Sequence, residues 1–193
     1  MRATCTDYIK LDPYLLPEHI SYTFKLEDIP RYVLQEIARH RTMSLTVKSS
    51  RYTLKKDLKN EEPFYQELDE VICDFERASK YVELGNDTDV NIATVKSLEE
   101  LRKLVVMGKS NDVIKPALPE GYYCNLYLTL YLDDLKHFLK LRLAGSALKE
   151  IRILSKLMID AIPDEHIDVF RDLEDLYNQV VLLIEKEEKA SCS

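Results

Sequence analysis

The sequence predicts a helix-rich α/β chain of the α+β kind, with a small, mostly antiparallel sheet and a single domain over residues 1–193. Three observations predict it. Two segments alternate apolar and polar residues with period two, and several longer ones repeat apolar residues at spacings of three and four. The composition, 46% hydrophobic and 32% charged over 193 residues, is that of a folded globular chain. A domain of this length buries about 70% of the surface its unfolded form exposes, enough for a core without covalent staples.

Along the chain, Ile20 to Leu26 alternate as a strand with one buried face. Pro30 suits the first turn of a helix through Tyr32, Val33, Ile37 and Ala38, which delivers Arg39, His40 and Arg41 at its C-terminal end. From Pro63 the spacing of Phe64, Leu68, Val71, Ile72, Phe75 and Ala78 predicts a helix ending near Gly85. The polar stretch Asn86 to Asn91 reads as a surface loop, Ser97 with Glu100 as a capping box, and Gly108 as a helix stop. In Tyr122 to Leu132, Cys124, Leu126, Leu128, Leu130 and Leu132 point one way, and Tyr123, Asn125, Tyr127, Thr129 and Tyr131 the other. That second face suits a subunit contact or a pocket wall. Asp133 or Asp134 is expected to cap a helix through Leu135, Phe138 and Leu141, and Ser146 the next, stopped by Pro163. A last helix is expected from Asp164 to Ile184, with a frayed charged tail from Glu185 to Lys189.

A net charge of −7 argues against general nucleic-acid binding, which needs clustered Lys and Arg. The longest uncharged stretch, Gly121 to Leu132, is short of the ~20 residues of a membrane helix. With no basic leader at the N-terminus the expectation is a cytosolic protein that does not enter a membrane. Cys5, Cys73, Cys124 and Cys192 lack C-x-x-C spacing and nearby His, so reduced thiols are expected rather than a metal site. Cys124 is expected to be a buried structural thiol.

Within this acidic chain, residues 39 to 51 carry Arg39, His40, Arg41, Lys48 and Arg51 with no carboxylate, interleaved with Thr42, Ser44, Thr46, Ser49 and Ser50. Guanidinium forks, hydroxyls and main-chain N–H groups are what a phosphate needs. A solvated basic turn after a helix has the same composition, and chemistry alone weighs the two equally.

The run Arg39-His40-Arg41, Ser44, Ser49, Arg51-Tyr52 resembles the signature Arg-His-Arg-x-x-Ser-x-Asn-x-x-Ser-x-Arg of the flavin-dependent thymidylate synthases, with Thr46 in place of Asn and Val47 where Glu is common. Pro17-Glu18-His19, Lys115-Pro116-Ala117-Leu118-Pro119, Leu135 to Arg142 and Ala147 to Arg152 resemble further elements of that family in the same order. The resemblance implies FAD as cofactor, NADPH and methylenetetrahydrofolate as co-substrates, and dUMP as the nucleotide methylated. It implies a homotetramer with sites shared between subunits. It assigns Arg142 to the pyrimidine edge as the catalytic residue, and Glu36, Arg39, Ser49, Ser50, Arg51 and Lys115 to the substrate, Lys115 from a neighbouring subunit. It assigns Arg39, His40, Arg41 and His137 to the flavin, although an exposed helix residue is an equal reading of His137. His19 and His166 read as structural or surface residues. Glu36 stands where Gln is common, Ser146 and Leu148 where His and Gln are, and Tyr131 and Asp133 where Asn and Arg often bind the flavin. Those departures leave two alternatives: a flavin-dependent enzyme adding another one-carbon group, such as hydroxymethyl, and a nucleotide-binding homologue without turnover.

Overall fold

The computed structural model describes residues 1–11, 16–67 and 71–191. In chain order the elements are β1 (Arg2–Tyr8), a 3-10 turn (Pro17–His19), β2 (Ser21–Pro30), α1 (Arg31–Ala38), β3 (Ser44–Val47), α2 (Ser50–Leu58), β4 (Tyr65–Glu67), β5 (Val71–Cys73) and α3 (Phe75–Ala78). They continue with α4 (Thr88–Val106), α5 (Asn111–Ile114), a 3-10 turn (Lys115–Ala117), β6 (Tyr123–Tyr131), α6 (Leu132–Leu143), α7 (Lys149–Asp160), a 3-10 segment (Asp164–Leu173) and α8 (Glu174–Ser191). The chain divides into two compact units, the first made of Met1–Asp28, Gln35–Thr46 and Asn125–Ser193, the second of Ile29–Leu34 and Val47–Cys124.

The first unit is built on a four-stranded sheet in the order β1-β2-β6-β3. β1 runs antiparallel to β2, with Ala3 opposite Leu26 and Tyr8 opposite Tyr22. Period-two patterning does what it should: Tyr22, Phe24 and Leu26 from β2 and Leu126, Leu128 and Leu130 from β6 are buried, as are Leu135, Phe138 and Leu139 of α6 and Ile151, Leu154 and Met158 of α7. Each such side chain contributes about 1.5–3 kcal/mol. On the opposite sheet face Thr23 and Thr129 share a hydroxyl hydrogen bond of 3.0 Å, and Tyr127 and Tyr131 are exposed.

His166 is buried in this unit. The Leu11 N–H donates to its Nε2 at 3.2 Å, which places the imidazole proton on Nδ1, 2.8 Å from the Tyr22 hydroxyl. It is a structural histidine, as expected. The residues after Pro163 form a 3-10 segment before the α-helix begins at Glu174, and the charged residues Glu185 to Lys189, expected to fray, lie within α8. Tyr131 and Leu148 occupy the N-cap positions of α6 and α7, so Asp133 and Asp134 act in the first turn of α6 through the helix dipole and Ser146 stands outside α7.

The second unit has its own core, with Leu54, Leu58, Phe64, Val82, Val95, Leu98, Leu101, Ile114 and Tyr122 among its members. Here the structure corrects the expected helix from Pro63 to Gly85. Tyr65 pairs antiparallel with Cys73 and Glu67 with Val71 in a β4-β5 hairpin, and α3 is a single short turn. The cause is competition for hydrogen bonds. The Phe64 N–H donates to buried Glu99 at 2.9 Å, the Phe64 carbonyl accepts from Asp74 N–H, and the Asp74 carboxylate caps a new helix by accepting from Arg77 N–H. Leu68 of that expectation lies outside the described residues. The Ser97–Glu100 capping box is likewise corrected: α4 starts at Thr88, capped by Asp87 accepting from Val90 N–H at 3.0 Å. Residues 88–91 are therefore helical rather than loop. Gly108, with φ of 81°, ends that helix as expected. No helix among the described residues is long and apolar enough to cross a membrane.

Candidate active site

In the first unit, the residues after α1 meet one face of α6. Arg39, His40, Arg41 and Thr42 line one side of a cleft of about 450 Å³, and His137, Leu141, Arg142, Ser146 and Ala147 the other. His137 and Leu141 are one helical turn apart, which sets them on the same face of α6. Arg142 lies in the last turn of α6, where a cation is favoured by the helix dipole.

Arg142 is held at three corners. Its Nε–H donates to His40 Nε2 at 2.9 Å, one terminal nitrogen to the Glu36 carboxylate at 2.6 Å, and the other to the Glu36 carbonyl at 2.8 Å. The second carboxylate oxygen of Glu36 takes a longer contact of 3.3 Å from Arg39, whose side chain is otherwise well exposed. Because His40 Nε2 accepts, its imidazole is neutral with the proton on Nδ1. Its pKa lies below the ordinary histidine value, chiefly through burial and then through the charge of Arg142. The ring packs on Phe138 with centroids 4.7 Å apart, and stands edge-on to His137 at 6.3 Å.

Of the residues expected from the sequence, Glu36, Arg39, His40, Arg41, His137 and Arg142 are thus together. Ser49, Ser50 and Arg51 belong to the second unit, where α2 begins at Ser50. The first turn of a helix offers main-chain N–H groups to an anion. The side chain of Arg51 lies outside the described ones. Lys115 is also in the second unit, exposed on its 3-10 turn, in a cleft of about 320 Å³ lined by Arg31, Asp112, Pro116, Leu118 and Glu120. Sequence reasoning missed Arg31, which carries no motif of its own and gains meaning only by standing beside Lys115. It also missed that the first ligand of Glu36 within the chain is Arg142.

The thiols do not compete for a catalytic role. Cys124 donates to the Ile29 carbonyl at 3.2 Å, and burial pushes its pKa up to about 11. Burial also raises Cys5 and Cys73. Cys192 lies outside the described residues. No group of acidic, His or Cys side chains among the described residues could hold a metal ion.

Residues 7–166 match the family described as thymidylate synthase complementing protein. The chain belongs to this family. Curated relatives named flavin-dependent thymidylate synthase include that of Wolinella succinogenes, 48% identical over 149 residues, covering 77% of this chain and 70% of that protein. That of Helicobacter pylori is 41% identical over 156 residues, covering 80% of this chain and 73% of that protein. The crystal structure of thymidylate synthase X from Helicobacter pylori with FAD and dUMP superposes with a TM-score of 0.81 at 32% identity, over 89% of this chain and 98% of that one. A UMP/dUMP methylase, PolB from Streptomyces cacaoi, shares the fold at a TM-score of 0.52 and 24% identity. The family's helix-rich fold around a small antiparallel sheet is the one the sequence predicts.

Proposed function

We propose that the chain is an FAD-dependent thymidylate synthase that methylates dUMP to dTMP with methylenetetrahydrofolate and NADPH. The observation that carries this reading is the cleft where Arg142, fixed by Glu36 and His40, faces the family's Arg-His-Arg run. The relatives that bear that name and the related crystal structure with FAD and dUMP support it.

The chemistry asks the protein to raise electron density at C5 of uracil without a covalent nucleophile. A guanidinium hydrogen-bonded to the N3/O4 edge does so by stabilising the negative charge that the ring carries as C5 attacks the methylene carbon. Arg142 has that task. A protein thiol is not required, and the raised pKa of Cys124 agrees with its having none. The cleft suits a flavin nucleotide: the exposed Arg39 and Arg41 guanidinium groups and the hydroxyls of Thr42 and Ser146 supply charge and donors for a diphosphate. Arg39, His40, Arg41 and His137 would hold FAD there. When bound, FAD, reduced by NADPH, supplies the hydride that converts the methylene into a methyl group.

Arg39, Ser49, Ser50 and Arg51 would bind the nucleotide, with Lys115 reaching its phosphate from a neighbouring subunit of a homotetramer. The exposed Tyr127 and Tyr131 on the open sheet face support such an assembly. One family match running from residue 7 to 166, through segments of both units, supports a single domain over 1–193. A cytosolic location completes the reading. The test is twofold. The purified protein is expected to take up FAD, read in its visible spectrum, and to form dTMP, read by mass spectrometry of the nucleotide. A colourless protein that takes up no added FAD, or a hydroxymethylated product, overturns it.

A further inference from the structure

Three bonds fix Arg142, and two of them come from one residue. Glu36 gives both its carboxylate, at 2.6 Å, and its main-chain carbonyl, at 2.8 Å, to the two terminal nitrogens of the guanidinium, while His40 Nε2 takes the Nε–H at 2.9 Å. A guanidinium has five N–H groups in one plane. Anchoring three of them to differently placed acceptors removes its rotation and leaves two for a ligand. The carbonyl ties Arg142 to the backbone of α1, so its position is referenced to the fold and not to a flexible side chain. The carboxylate adds what an amide would not, a countercharge: the Arg142 side chain is 14% exposed and that of Glu36 21%, and a guanidinium so far removed from water is costly alone.

We propose that Glu36 is a positioning residue, which sets and neutralises Arg142 so that its two remaining N–H groups meet the pyrimidine edge of the substrate. This rests on the thymidylate synthase reading above. It differs from a direct role of Glu36 on the substrate in what the carboxylate is used for: one oxygen accepts from Arg142 at 2.6 Å and the other from Arg39 at 3.3 Å. His40 belongs to the same device. The charged and titratable groups facing it are Arg142, His137, Arg39 and Glu36. The first three oppose its protonation and Glu36 favours it. A proton on Nε2 would set N–H against N–H and release Arg142.

The test is a double-substitution cycle on the FAD-loaded protein. Glu36→Ala is expected to lower kcat about 30-fold with KM changed less than about 3-fold, because what is lost acts in the transition state. Glu36→Gln, which keeps an acceptor, recovers to within about 5-fold of the unsubstituted enzyme. Its acid limb of kcat moves to lower pH, since the carboxylate that favours protonated His40 is gone. In an Arg142→Ala background, Glu36→Ala costs less than about 2-fold. Equal losses in both backgrounds, a loss confined to KM, or an unmoved acid limb would each overturn the positioning role. If the unsubstituted protein forms no dTMP, the functional reading fails by itself. The same cycle is then read in dUMP binding by calorimetry, where Glu36→Ala weakens binding about 3-fold only while Arg142 is present, and additive costs overturn the proposal. Circular dichroism melting of each variant separates loss of fold from loss of position.

Discussion

Two carboxylate–guanidinium pairs in this chain have the same chemistry and opposite purposes. Glu99 and Arg102 sit three residues apart on α4, the carboxylate 1% and the guanidinium 12% exposed, joined by contacts of 2.8 Å. Their other partners belong to the main chain: Glu99 accepts the Phe64 N–H and Arg102 donates to the Glu61 carbonyl. Glu36 and Arg142 lie 106 residues apart in sequence, and Arg142 borders an open cleft. Their second partners are His40 and the Glu36 carbonyl, and N–H capacity remains. Each guanidinium keeps two of its five N–H groups beyond these bonds, so the difference lies in where they stand: the pair buried in a core pins structure, whereas the one whose arginine lines a cavity is equipped to bind.

Breaking the buried pair should have the largest effect. Glu99→Ala leaves Arg102 without its countercharge and the Phe64 N–H without an acceptor, and is expected to cost about 3–5 kcal/mol in urea unfolding. The loss should melt the β4-β5 hairpin first, seen as early amide exchange there. Arg142→Lys replaces a fork with a point charge. It should lower kcat/KM for dUMP about 100-fold and change the unfolding midpoint little, which would confirm that this pair is poised for binding rather than stability. Tyr22→Phe, at the buried His166, should cost about 1–2 kcal/mol by leaving Nδ1–H without an acceptor, with turnover unchanged in the folded protein.

The smallest effect concerns pH. Burial lowers the pKa of His166 from 6.5, so below that value the unfolded chain binds a proton that the folded chain refuses. Its contribution to stability is therefore level above about pH 6.5 and is lost as the pH falls through the interval below it. His166→Gln should flatten that part of the urea-midpoint profile between pH 5 and 7. An unchanged slope would show that burial of His166 does not govern it.

Elements whose pattern depends on burial alone were legible. The strands around Phe24 and Leu128, the helix carrying Leu135 and Phe138, and the stop at Gly108 follow from period and from one glycine able to adopt φ of 81°. The segment from Phe64 to Ala78 was not, because its apolar spacing fits a helix, whereas the Phe64 carbonyl, which a helix would give to the N–H four residues on, accepts from Asp74 N–H and closes the β4-β5 pair instead. In the site, the Arg-His-Arg run and Arg142 could be named from their resemblance to a family motif. The link from Arg142 to Glu36 and His40 could not, since it joins residues more than 100 positions apart.

The sequence by itself determined the class of fold and the family, because hydrophobic period and motif spacing are local properties of a chain. Only the tertiary structure decided what each charge is used for. Arg39 to Arg41 form one side of a cleft, Lys115 stands beside Arg31, and Glu36 serves Arg142. A carboxylate's role is set by the partner it meets at hydrogen-bond distance, and that partner is chosen by folding, not by sequence neighbourhood.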